Sequence, residues 1–132
     1  MARGSLSKHN WLQDRILEKP SLVGVEDQII ARQKEYQLLH NDHLFVVPDL
    51  YFQGGNMDYL VEIKSGDSPY LYTKGMNQLE RIVYWYEHNG LQVPDLRLTM
   101  FSDKGKYWHD DIKNPIIYRL GDNYKNVEYF RR

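Results

Sequence analysis

Apolar residues near the start of the chain recur at helical spacing, with Trp11, Leu12, Ile16 and Leu17 as the repeat. The pattern predicts a helix over Ser7–Lys19, with Ser7 as its N-cap and Pro20 as its stop. From Ile29 to Leu39 (IIARQKEYQLL) apolar and polar positions mix, and most of the stretch reads as a strand. His40–Asp42 (HND) is a turn. Leu44–Phe52 and Met57–Lys64 are two runs rich in Val, Leu, Tyr and Phe, and the Gly54-Gly55 pair between them signals a two-residue hairpin.

The segment SGDSPYLYTKG then reads as a loop, and Met76–His88 as a helix. Met76, Leu79, Val83 and Tyr86 form the apolar face of that helix, and Asn89-Gly90 is its stop. Asp95–Phe101 alternates as a further strand. SDKGK reads as a turn, and Tyr118–Leu120 and Val127–Phe130 as short strands. The order is helix, three-stranded meander, helix, strand, which defines an α/β (α+β) fold. At 132 residues, 1–132 reads as one domain, with a core over about 7–102 and a tail, 103–132, without a clear pattern.

Composition changes this picture little. The chain is 42% hydrophobic and 27% charged, as ordinary globular proteins are. Its net charge of −1 gives no overall basic signature, although a basic cleft beside an acidic site sums to the same value. There is no cysteine, which excludes disulfides and thiolate metal sites. No apolar run reaches about 18 residues and MARGSLSKHNW lacks a signal-peptide core. The expectation is a soluble, intracellular (cytoplasmic) protein with no membrane segment.

Chemistry enters through VPDLYFQGGNMDYLVEIKSG (Val47–Gly66), where Asp49, Glu62 and Lys64 interrupt runs that otherwise look buried. Charged side chains are seldom buried unless paired or bound to a metal. With Gly54-Gly55 as the loop, Gln53 faces Asn56, Asp49 faces Leu60 and Glu62 faces Val47. Strand alternation then puts Asp49, Glu62 and Lys64 on one face, with the two carboxylates diagonal neighbours roughly 7–8 Å apart. Two such carboxylates can meet on one hard cation such as Mg²⁺ (or Mn²⁺), which keeps several of its waters. A bound metal acidifies water and stabilises charge on a phosphoryl group, and a nearby lysine orients the water or balances that charge.

Pro48-Asp49, the step to Glu62, then Ile63 and Lys64 resemble the motif of the PD-(D/E)XK nuclease superfamily. That superfamily shares a restriction-endonuclease-like core of helix, three-stranded meander, helix and strand. The resemblance implies that Asp49 and Glu62 bind the metal, that the Ile63 carbonyl adds a ligand and that Lys64 is the catalytic lysine. Gln78 in NQLERIVYWY resembles the glutamine of the RecB-like branch, although Ile82 stands where that branch has tyrosine. Counting back from Pro20, as in related archaeal endonucleases, puts the first-helix glutamate position at Gln13, beside Asp14, with Glu18 and Glu26 as other candidates.

The implied activity is a metal-dependent deoxyribonuclease that hydrolyses phosphodiester bonds, with DNA as partner and, as in small members, a homodimer. A Holliday-junction or other structure-selective endonuclease is the alternative within the class. A catalytically inactive nuclease fold that binds DNA or protein is the alternative outside it. Lys8, Arg15, Arg32, Lys34, Lys74 and Arg81 are candidates for a DNA groove. His40 and His43 fall in a polar turn and read as solvated. Gln78, Arg81 and Trp85 share a helix face. The second VPDL, at Val93–Leu96, is followed by no charged strand, so Asp95 reads as a turn residue.

Overall fold

A computed structural model describes residues 2–102 and 108–120. Helix α1 spans Ala2–Glu18 and is followed by a short 3₁₀ turn, Pro20–Val23. The helix begins earlier than its apolar repeat suggests, and Ser7 lies inside it rather than capping it. Its first turns are polar, so periodicity carries no sign of them. The stretch read as one strand from Ile29 divides into β1 (Ile29–Lys34) and β2 (Leu38–His40). Glu35 breaks it, with a left-handed φ of 53° that few non-glycine residues adopt.

The run Leu44–Phe52 also divides, into β3 (His43–Val46) and β4 (Leu50–Gly54). Pro48 lies between them and has no N–H to give a ladder. Strand β5 is Asp58–Lys64. Helix α2 runs Pro69–His88, so most of the segment read as a loop is helical. Ser68 is its N-cap, with Oγ accepting the Leu71 N–H at 3.2 Å, and Pro69 fills the first helical position. Strand β6 (Asp95–Met100), the four-residue helix α3 (Trp108–Asp111) and β7 (Ile116–Arg119) follow. The expected strand at Val127–Phe130 and most of the SDKGK turn lie outside the described residues.

Five strands form a mixed sheet in the order β1-β4-β5-β6-β7, and β2-β3 is a separate hairpin. The meander β1, β4, β5 is antiparallel, β5 and β6 are parallel, and β7 returns antiparallel. A parallel neighbour needs a crossover, and α2 supplies it. The helices cover opposite faces. Leu12 and Ile16 of α1 pack with Phe52, Val61 and Ile63, while Met76, Leu79 and Ile82 of α2 pack with Leu60, Leu96 and Leu98. Covered on both sides, β5 is buried from Tyr59 to Ile63, which explains its near-continuous apolar run. Arg32 joins β1 to the end of α1, its Nη1 donating to the Leu17 carbonyl at 2.7 Å.

Among the described residues no helix is long and apolar enough to cross a membrane.

Candidate metal centre

The register of the β4–β5 hairpin decides what Asp49 and Glu62 can do. Leu50 pairs with Val61 and Gln53 with Asp58; the ladder ends at Leu50, and Asp49, in the bend just before it, lies beside Glu62 and donates its N–H to that carboxylate. The sequence-based register, with Asp49 opposite Leu60, is therefore two residues off. The Gly54 N–H donates to the Met57 carbonyl, so Gly55-Asn56 is the loop rather than Gly54-Gly55. Asp27 fixes this choice. Its carboxylate accepts from Asn56 N at 3.0 Å, Asn56 Nδ2 at 3.1 Å and the Tyr59 hydroxyl at 3.1 Å. A Cβ on Gly54 would strike that carboxylate and the Met57 carbonyl. Because the slip is even, no strand residue changes face, Glu62 and Lys64 stay together, and Asp49 comes beside Glu62.

Around this pair the hydrogen bonds are local. Asp49 Oδ2 accepts the Ile63 N–H at 2.7 Å, and Glu62 Oε1 accepts the Asp49 N–H at 3.2 Å. Lys64 Nζ lies 3.8 Å from Glu62 Oε2, with its side chain only 12% exposed. The Lys64 carbonyl bonds to Phe101 on the β6 side, so by strand alternation the Ile63 carbonyl faces the β4 side, where Asp49 stands.

Helix α1 closes the site from the other side. Gln13 is buried and donates from Nε2 to the Asp49 carbonyl at 2.9 Å. One turn earlier His9 places Nε2 3.3 Å from Asp49 Oδ2. Sequence reasoning reached Gln13 but missed His9, although the four-residue step between them marks one helical face. The Glu35 N–H also donates to the Asp49 carbonyl, at 2.9 Å, which ties the left-handed turn to the site.

Several of the remaining candidates engage other partners or solvent. Asp14 pairs with Lys34 at 2.8 Å, and Arg15 with Glu18 at 3.0 Å, both on the surface. Glu26 and Lys74 are exposed. Lys8, taken as a groove residue, is instead buried, with Nζ 2.7 Å from the buried Asp111 and 2.9 Å from the Ser102 carbonyl. Burial without that partner would leave an uncompensated charge. Arg81 donates to the Phe45 carbonyl at 2.6 Å and Trp85 to the Leu39 carbonyl at 2.8 Å, so their shared helix face clasps the β2–β3 hairpin. Gln78 is half-buried, and among the described residues its buried Oε1 has no hydrogen-bond partner.

The donor set suits a hard cation. Glu62 is 1% exposed and lies beside a second carboxylate, that of Asp49. Burial first, and the Asp49 charge second, push its proton affinity well above the ordinary range, against the pull of Lys64. A divalent cation in place of that proton would relieve the repulsion, with Asp49, Glu62 and the Ile63 carbonyl as its oxygen donors. His9 is within reach as a nitrogen donor. Among the described residues no group of three or more His, Asp or Glu side chains is placed so that it could hold a metal ion.

This pair makes the metal-free protein sensitive to pH in a definite direction. In the fold Glu62 keeps a proton that the unfolded chain releases near 4.5, so stability falls as pH rises above that value. His9 has the same sign. Its hydrogen bond to Asp49 outweighs desolvation and raises its affinity, so its contribution is complete below 6.5 and lost as pH climbs through the folded value. Asp27 works in reverse. Partial desolvation pushes its affinity up, but the hydrogen bonds from Asn56, Tyr59 and Met57 bring it down overall, and its contribution is lost only below the ordinary 3.8. In chelator, urea midpoints should therefore fall between roughly pH 5 and pH 8, and Glu62→Gln should flatten the slope. A wild-type profile already flat over that window would refute the account of a protonated Glu62.

No protein-family model matches the chain, and no curated protein sequence or solved structure matches it either.

Proposed function

We propose that the chain is a divalent-metal-dependent nuclease of PD-(D/E)XK type that hydrolyses phosphodiester bonds in DNA. One observation carries this reading: Asp49 lies beside the buried Glu62, to which its N–H donates, with Lys64 Nζ 3.8 Å from the same carboxylate. Solvation cannot explain a Glu at 1% exposure beside a second carboxylate, and a purely structural role would favour an apolar pair. The helix–meander–helix–parallel strand order supports the reading too.

In this role Asp49 and Glu62 hold Mg²⁺ or Mn²⁺, with the Ile63 carbonyl beside them. When bound, the ion supplies Lewis acidity toward a phosphoryl oxygen and lowers the pKa of water. The chain's own part is orientation. Ile63 N–H fixes the Asp49 carboxylate, and Gln13 and Glu35 fix the Asp49 backbone from two sides. Lys64, drawn in beside Glu62, directs its ammonium at the place where negative charge develops on the phosphate.

The test is incubation of purified protein with single-stranded, duplex and branched DNA in Mg²⁺, Mn²⁺ or EDTA. Cutting that needs the metal supports the reading, and a preference for branched DNA would specify a structure-selective enzyme. Binding without cutting in every metal would leave only the inactive binding module. For Lys64→Ala the cleavage rate should fall about 10²–10³-fold while DNA affinity stays nearly constant. A parallel fall in both would make Lys64 a phosphate anchor.

A further inference from the structure

His9 is not one of the oxygen donors above, yet it meets the Asp49 carboxylate from helix α1. Packing fixes the turn that carries it. Lys8, the residue before it, is buried with Nζ 2.7 Å from Asp111 and 2.9 Å from the Ser102 carbonyl. Leu12, three residues on, is fully buried. Gln13, four residues on and so on the same helix face, donates to the Asp49 carbonyl at 2.9 Å. The position from which His9 approaches Asp49 is therefore set by α1 as a whole.

The oxygens of the two carboxylates are unevenly occupied. Asp49 Oδ2 accepts the Ile63 N–H at 2.7 Å, and His9 Nε2 stands 3.3 Å from that same oxygen. Among the described residues both nitrogen donors to this carboxylate fall on Oδ2, and none on Oδ1. Glu62 Oε1 accepts the Asp49 N–H at 3.2 Å, while Lys64 Nζ lies 3.8 Å from Oε2. A single donor fixes one oxygen but lets the carboxylate plane turn, because rotation about a terminal sp³–sp² bond is broad. Hydrogens prefer to lie near the plane of the accepting group. Two donors on one oxygen, one from strand β5 and one from helix α1, therefore hold the plane.

We propose that His9 is a positioning residue of the metal centre: with the Ile63 N–H it pins Asp49 Oδ2 and leaves Oδ1 as the oxygen for the ion. This role rests on the metal reading of the Asp49–Glu62 pair. Among the described residues no three His, Asp or Glu side chains are placed to hold an ion, so the part left to His9 is on the carboxylate rather than on the metal. Carboxylates that ligate a metal are themselves held by hydrogen bonds, and those outer partners tune affinity. An imidazole can donate from Nε2 in its charged form and in one neutral tautomer, so the role needs no change of protonation. Gln13 and His9 then divide the task. Gln13 grips the Asp49 backbone and sets where the residue stands, and His9 sets which way its carboxylate turns.

The experiment is calorimetric titration of the full chain with Mn²⁺ at about pH 8.5, where ordinary imidazoles are neutral. His9→Ala should weaken Mn²⁺ binding about 10–100-fold, the usual cost of losing an outer partner. His9→Gln should restore most of the affinity, because its amide nitrogen extends about as far from the backbone as imidazole Nε2. The amide of His9→Asn stops a methylene short, so this variant should match His9→Ala and serves in its place if the alanine variant folds poorly. A merely structural contact would move the urea midpoint and leave Mn²⁺ affinity alone. Unchanged affinity in His9→Ala, tighter binding there, or His9→Gln as weak as His9→Ala would each overturn the positioning role. A wild type that binds no Mn²⁺ would overturn it together with the metal reading. A wild type that shows this order of affinities but cuts no DNA would support the role and overturn the nuclease reading alone.

Discussion

Asp49→Asn is expected to reduce metal-dependent DNA cutting by at least about 10³-fold while leaving the fold intact. The substitution is nearly isosteric, and the amide oxygen can still accept the Ile63 N–H that the carboxylate now holds at 2.7 Å. What disappears is the charge. A metal's Lewis acidity supplies several kcal/mol of transition-state stabilisation, and each 1.36 kcal/mol is a factor of about ten in rate. Stability should hold or rise, because buried Glu62 loses the like charge that raises its proton affinity. The measurement pairs a cleavage time course with a urea melt. Retained cutting would remove the proposed centre, and loss of both activity and fold would show that Asp49 is chiefly structural.

The sequence disclosed this pair because strand alternation is insensitive to even errors of register. Moving the loop from Gly54-Gly55 to Gly55-Asn56 shifts every partner by two residues, and no side chain changes face. The shift itself was hidden, since it depends on Asp27, which lies far from the hairpin in sequence and grips Asn56 from outside. Element ends were legible only where the chemistry was local. Pro48 and Glu35 broke strands that looked continuous, the first by lacking an N–H and the second by a left-handed turn that no pattern announces. Ser68-Pro69 looked like a loop for the same reason that it starts a helix: both residues satisfy exposed helix ends.

Long-range contacts were the least legible. His9 reaches Asp49 only because α1 lies across the start of β4, and hydrophobic periodicity does not state which polar residue of a helix meets which strand. Lys8, its neighbour, looked like any exposed lysine until Asp111, 103 positions away, closed over it. Arg81 and Trp85 were seen to share a face, but the occupant of that face is a hairpin that the sequence did not separate from the main sheet.

The repeated VPDL tetrapeptide shows how one string takes two roles, and it leads to the opposite expected result at Asp95. The sequence reading began a strand at Asp95 but took its carboxylate as that of a turn residue; β6 does begin there, and Asp95 is 0% exposed. Arg97 Nε donates to it at 2.9 Å and Arg119 Nε at 2.8 Å. Arg97 is itself buried, and its Nη1 donates to the Val23 carbonyl at 2.8 Å, where Gly24 turns with a φ of 77°. A Cβ at Gly24 would lie 2.9 Å from that guanidinium nitrogen. The carboxylate thus neutralises an arginine that joins the 3₁₀ turn to the sheet, and it holds the edge strand β7 through Arg119. Asp95→Ala would leave Arg97 buried without its counter-charge, an uncompensated charge that costs about 3–5 kcal/mol. Against a usual total of about 5–15 kcal/mol, that is a large share of the protein's stability. Urea unfolding should show a sharply lower midpoint at unchanged slope, and Asp95→Asn, which keeps one acceptor, should fall between. Metal-dependent cutting by the folded fraction should persist in Asp95→Asn. An unaltered midpoint in Asp95→Ala would mean that the Arg97–Asp95 pair contributes nothing net, and that the second VPDL is as dispensable as a turn.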